Sequence, residues 1–108
     1  MKRKFKVFLG GATGEGNEWR EALKKAKFEN LELFDPYKED WDPGKDIYRE
    51  LKEMLRSDLA IFYKGGIGTK NEIEIAELAR NSIVKRFNDL TELKRFLTAL
   101  NRAIDKSS

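Results

Sequence analysis

The chain reads as an α/β domain built on a parallel sheet, and three observations predict it. Four strand-length apolar runs alternate with segments whose apolar residues recur at helical spacing. The first three runs each end in turn chemistry: Gly10-Gly11, Asp35-Pro36 and the glycine-rich stretch that follows Tyr63. The 108 residues are enough for one domain and too few for two of ordinary size.

Phe5-Lys-Val-Phe-Leu9 reads as a buried strand stopped by Gly10-Gly11. Glu18 to Lys27 is helical, with Asn17 as a cap and Trp19, Ala22, Leu23 and Ala26 on one face. Leu31 to Phe34 is a short strand closed by Asp35-Pro36. Asp42-Pro43-Gly44 then opens a helix that turns Ile47, Leu51, Met54 and Leu55 inward. Leu59 to Tyr63 is the central strand. Thr69 to Asn81 is a third helix with Ile73 and Ala76 facing in, and Ser82 to Phe87 is the last strand. Asp89 to Ile104 is a strongly amphipathic helix carrying Leu90, Leu93, Phe96, Leu97, Leu100 and Ile104, followed by a frayed tail from Asp105 to Ser108. Right-handed crossovers leave few topologies for such an alternation. The expected one is a small flavodoxin-like three-layer sandwich, strand order 2-1-3-4, spanning residues 1–108 as a single domain.

Composition removes several chemistries. With no Cys and no His, disulfides, thiolate catalysis, Ser-His triads, imidazole acid–base work and ordinary zinc sites are excluded. Carboxylates, Lys, Tyr, Ser/Thr and backbone amides remain. Charged residues are 38% of the chain but sum to only +3, and Lys and Glu interleave along the helices, which is the pattern of solvated faces rather than a nucleic-acid stripe. Phe5 to Leu9 is too short for a signal h-region and no stretch reaches membrane-spanning length. The expectation is a cytoplasmic protein with a small-molecule partner, and with no metal, cofactor, membrane or nucleic acid.

In an open parallel sheet, ligands collect at the carboxyl ends of the strands, beside the switch point between strands 1 and 3. Four features gather there. Gly10-Gly11-Ala12-Thr13-Gly14-Glu15-Gly16 is either a plain turn or a loop whose amides face a phosphate or sugar. It lacks the Gly-Lys-Ser/Thr of a Walker A loop and the spacing of a dinucleotide fingerprint. Trp19 is either core or a lid over a cleft, or else a base-stacking platform, and Arg20 either holds an anion in bidentate fashion or is a surface arginine. Asp35 is suited to bind a hydroxyl, and Tyr37 and Trp41 either wall a pocket for a flat ring or tie down their own loop. Finally, Gly68-Thr69 opens a helix with Glu72 in its first turn, either a helix-start charge or a catalytic group. Glu50 is a candidate second carboxylate. Asp58 reads as a turn residue, and Glu74 and Glu77 as solvent-facing.

Taken in order, the Gly-Gly loop with Trp19-Arg20, Phe34-Asp35-Pro36 with Asp40-Trp41, and Gly68-Thr-x-x-Glu72-Ile-x-x-Ala76 resemble the nucleoside 2-deoxyribosyltransferase-like family. That family includes the 2′-deoxynucleoside 5′-phosphate N-hydrolases, and the resemblance covers residues 5–87. It implies cleavage or transfer of an N-glycosidic bond, with Glu72 as nucleophile and Glu50 at the position of the family's second acidic residue. It also implies that Gly10 to Gly14 contact sugar or phosphate, and that the chain forms a homodimer or larger assembly. Members often carry an Asp just before the Gly-Thr/Ser, where this chain has Gly65-Gly66-Ile67. The same glycine-rich turn resembles that of the longer cytokinin-activating phosphoribohydrolases.

Cleaving such a bond passes through an oxocarbenium-like sugar, which a carboxylate beneath C1′ stabilises or attacks. With no imidazole, a carboxylic acid or water must protonate the leaving base. Water as acceptor makes a hydrolase and a second base makes a transferase; the residues leave both open. Two other readings stand beside these: a non-catalytic nucleotide-binding or sensing module, and an NAD glycohydrolase of the TIR-like type, which shares this sheet and a catalytic Glu.

Overall fold

The computed structural model describes residues 4–11, 18–36, 42–64, 73–75, 77 and 83–107. In chain order its elements are β1 (Phe5–Gly11), α1 (Glu18–Lys25), β2 (Leu31–Phe34), α2 (Pro43–Arg56), β3 (Leu59–Tyr63), α3 (residues 73–75 and 77 described), β4 (Ile83–Phe87) and α4 (Leu90–Ser107). The four strands form one sheet in the order β2-β1-β3-β4. All three pairings are parallel, with Phe8 opposite Phe34, Val7 opposite Leu59, Gly11 opposite Tyr63, and Tyr63 opposite Phe87. This is the flavodoxin-like arrangement that the alternation of strands and helices predicts.

Strand side chains alternate between faces, so the two inner strands sort their apolar residues into two cores. Val7, Leu9, Leu59, Ile61 and Tyr63 join Trp19 and Leu23 of α1 and Leu93 and Leu97 of α4. Phe8, Ala60 and Phe62 join Met54 of α2 and Ile73 of α3 on the opposite face. Helices therefore cover both sides of the sheet, as parallel strands require. Leu93 and Leu97 are fully buried, each worth about 1.5–3 kcal/mol of transfer free energy. Leu90, Phe96, Leu100 and Ile104 flank them as partly buried neighbours. The outer strand β4 leaves Ile83, Lys85 and Arg86 exposed; charges on an edge strand discourage pairing with a second chain.

Helix ends are set by local chemistry. Asp42 caps α2, accepting from the Gly44 amide at 3.0 Å, while Asp46 reaches back to accept from the Asp42 amide at 2.8 Å. This reciprocal capping satisfies two amides that have no partner inside the helix. Ser57 ends the helix, its hydroxyl donating to the Glu53 carbonyl at 2.8 Å. Asp58 is the turn residue that the sequence suggests. Its carboxylate accepts from the Lys6 amide at 2.9 Å, and its own amide donates to the Lys6 carbonyl at 2.9 Å. Its carbonyl accepts from the Ile83 amide at 3.2 Å, which ties β1 to the start of β4.

Four expectations are corrected. β1 does not stop before the glycines: Gly10 and Gly11 are strand residues, paired with Phe62 and Tyr63. α1 ends at Lys25, because Lys27 takes a left-handed conformation (φ 50°) and turns Ala26 outward into solvent. Ile47 is 44% exposed rather than inward. Leu51, Met54 and Leu55 do pack on the core, while Asp46 and Ser57 are also buried and Glu50 is half-buried. Last, α4 continues to Ser107, so residues 105–107 are helical rather than frayed.

Candidate functional site

The carboxyl ends of β1, β2 and β3 bring Gly10-Gly11, Phe34-Asp35 and Tyr63-Lys64 to one rim of the sheet. Both glycines are dictated by packing. A methyl on Gly10 would lie 2.6 Å from Cε1 of Phe62 and 3.0 Å from Cε1 of Phe8. Gly11 has φ +125°, and a methyl there would meet the Tyr63 carbonyl oxygen at 2.3 Å. Only glycine adopts that backbone without strain.

Arg20 is neither a surface residue nor open to solvent. It is 1% exposed, and its Nε donates to the Leu9 carbonyl at 3.0 Å and lies 3.4 Å from Oδ1 of Asp35. Its guanidinium stacks on Trp19 at 4.3 Å, and Trp19 in turn packs on Tyr63 at 4.9 Å. Trp19 is thus core, at 6% exposure. Asp35 is buried beneath Lys24, whose Nζ sits 2.8 Å from Oδ2 and also reaches Glu21 at 3.3 Å. The hydrogen bond to Asp35 is the main reason the Lys24 ammonium is held above its ordinary value, against the opposing pull of partial burial.

The other face of the same chain segment is gripped by α2. Nη2 of Arg49 donates to the Pro36 carbonyl at 3.1 Å, and its guanidinium carbon lies 5.7 Å from the Phe34 ring centroid. Asp46, one turn earlier, approaches Arg49 Nε at 3.4 Å without a hydrogen bond forming. The exit from β2 is therefore clamped from both layers: by α1 through Arg20 and Lys24, and by α2 through Arg49. Neither Arg49 nor Asp46 is singled out by the sequence reading. The available signal is their i, i+3 spacing directly after a cap residue. Their partners at Pro36 and Phe34 are visible only in three dimensions.

Glu50 follows Arg49, half-buried between buried Asp46 and Met54. Gly10, Gly11, Arg20, Asp35 and Glu50 thus lie on the elements that meet at or beside the rim. Thr13, Gly14, Tyr37, Trp41, Gly68, Thr69 and Glu72 lie outside the described residues, as does the Asn17 cap. Glu74 and Glu77 are exposed, in keeping with a solvent-facing role.

Among the described residues, no group of three or more acidic, His or Cys side chains is placed to hold a metal ion. No described helix is long and apolar enough to cross a membrane. Among the described residues, a shallow groove on the outside of α4, bordered by Lys94, Arg95, Thr98 and Arg102, is lined by that helix alone. Compared with known protein families the chain matches no family model, and it matches no curated protein.

Proposed function

We propose that this protein cleaves or transfers the N-glycosidic bond of a (deoxy)nucleoside or nucleotide, with Glu72 as the attacking carboxylate and Glu50 as its acid–base or orienting partner. One observation carries the reading. The sheet order β2-β1-β3-β4 sets the ends of β1 and β3 side by side at a switch point, and β3 leads from that rim into the Gly65 to Glu72 segment. A rim of this kind is where α/β folds bind nucleotides. Half-buried Glu50 adds a carboxylate on a helix that packs against the same strands. Carboxylates suit the chemistry because the developing charge on the sugar is positive and no imidazole competes for the role.

The test is incubation of the full chain with deoxynucleosides, their 5′-monophosphates and NAD, with and without an acceptor base, followed by chromatography of the released base. Glu72→Ala is expected to fold and to lower base release by about 10³-fold or more. Unchanged release in that variant overturns the assignment.

A second reading, a nucleotide-binding module without turnover, is favoured by Gly65-Gly66-Ile67, which stands where members of the family that the chain resembles often carry an Asp. Saturable nucleotide binding with no product formed is its signature.

A further inference from the structure

β4 borders the sheet, paired with β3 on one side and, among the described residues, with no strand on the other. Two hydrogen bonds fix which of its backbone groups are engaged. The Ile83 amide donates to the Asp58 carbonyl at 3.2 Å, and the Phe87 carbonyl accepts from the Lys64 amide at 2.9 Å. In a parallel pair, alternate residues turn both amide and carbonyl toward the neighbouring strand. With Ile83 opposite Leu59 and Phe87 opposite Tyr63, residues 83, 85 and 87 therefore face β3. The amides and carbonyls of Val84 and Arg86 face outward.

The side chains along this border have a pattern of their own. Val84 packs on the core under α2 and α3, and Phe87 on the opposite core. By alternation Arg86 shares the face of Val84, while Ile83 and Lys85 share that of Phe87. α4 does not cover the start of the strand. It meets β4 at Phe96, whose ring centroid lies 5.3 Å from that of Phe87. By Asn101 it has crossed to the β2 side, where it bonds Asn30 at 2.8 and 3.0 Å. Ile83 is left 59% exposed. Lys85 and Arg86 are exposed too, and among the described residues neither has an ion-pair partner.

Two outward amides and two outward carbonyls are a template for an added strand. The cations decide which strand fits. An antiparallel β4–β4 pairing of two copies centred on Lys85 would set the two lysines opposite each other, and like charges across a strand pair are destabilising. A strand with carboxylates at the matching positions is attracted instead. We propose that the β4 edge is a docking site for an extended acidic segment of another protein. The segment adds a fifth strand, with Asp or Glu opposite Lys85 and Arg86 and an apolar residue opposite Ile83. The charges that turn away a basic strand thereby supply the selectivity. This site is independent of the N-glycosidic reading.

The experiment titrates the full chain into a fluorescein-labelled peptide, Thr-Val-Glu-Glu-Val-Thr, and follows anisotropy. The peptide reads the same in both directions, so either strand orientation presents its carboxylates to Lys85 and Arg86. Thr-Val-Lys-Lys-Val-Thr is the control. Saturable binding is expected, about tenfold or more tighter for the acidic peptide. The double variant Lys85→Glu with Arg86→Glu should reverse that preference. Hydrogen exchange on wild type gives a readout that needs no variant. The acidic peptide should slow the Val84 and Arg86 amides by about tenfold or more, and leave the Lys85 amide, which already faces β3, little changed. No saturable binding, equal affinity for the two peptides, or unchanged exchange at Val84 and Arg86 overturns the proposal. So does a mass that doubles with concentration in wild type but not in the double variant, since a second copy would then occupy the edge.

Discussion

One added methyl at Gly10 tests whether the glycine-rich end of β1 is there for packing. In Gly10→Ala the new Cβ would stand 2.6 Å from Cε1 and 2.7 Å from Cδ1 of Phe62. Comfortable carbon–carbon contact begins near 3.5 Å, so the ring must retreat by roughly 1 Å. It has nowhere open to go. Phe62 is 2% exposed and packs at 6.3 Å from Phe8, which is fully buried and stacked at 5.9 Å on Phe34. Pushing one ring displaces a row of three. Overpacking of this kind costs about 1–3 kcal/mol. Urea unfolding followed by circular dichroism measures it, and a double-mutant cycle isolates the cause. Phe62→Leu removes the obstructing ring edge and by itself costs about 1–2 kcal/mol. In that background Gly10→Ala should cost at least about 1 kcal/mol less than in wild type. A loss below about 0.5 kcal/mol for Gly10→Ala, or strict additivity of the pair, would refute the packing account and return Gly10 to a purely ligand-contacting role.

Two further outcomes follow from the β2 clamp. Arg20→Met removes the buried guanidinium but leaves Asp35 with Lys24, so the expected loss is at the lower end for a broken buried pair, about 3 kcal/mol, read from the urea midpoint; a loss under about 1 kcal/mol would show that the pair is not a structural brace. The Lys24 ammonium is held above its ordinary value by Asp35, so its contribution is complete below the unfolded lysine value near about 10.4 and is lost as pH rises through the higher folded value. The stability difference between wild type and Lys24→Met should therefore be flat through neutral pH and shrink only in strongly alkaline buffer; a difference that vanishes at neutral pH would contradict the pairing.

The strands were legible because each is a short apolar run bounded by turn residues. Leu31 to Phe34 and Leu59 to Tyr63 fall where the pattern puts them. The end of β1 was not, since nothing local tells a glycine in a strand from one in a turn; the register partner Tyr63 decides it. The place of Ile47 on α2 is not legible for a related reason. Leu51, Met54 and Leu55 do pack against the core, but Ile47 faces solvent and the capping carboxylate of Asp46 is buried beside it. At the site, position in the chain did identify Arg20, Asp35 and Glu50 as belonging to elements around the rim. It did not reveal that Arg20 is sealed inside, because its carboxylate partner lies 15 residues away across a strand connection.

The amino-acid order alone determined the class of fold, the parallel sheet and the chemistries that absent Cys and His forbid. Those are properties of local periodicity and composition, which need no knowledge of neighbours. Which cation is buried, which stays partly open, and why two glycines admit no side chain were decided only by tertiary packing. Burial and pairing depend on contacts between residues far apart in the chain, as when Phe62 closes over Gly10 and Asp35 meets Arg20.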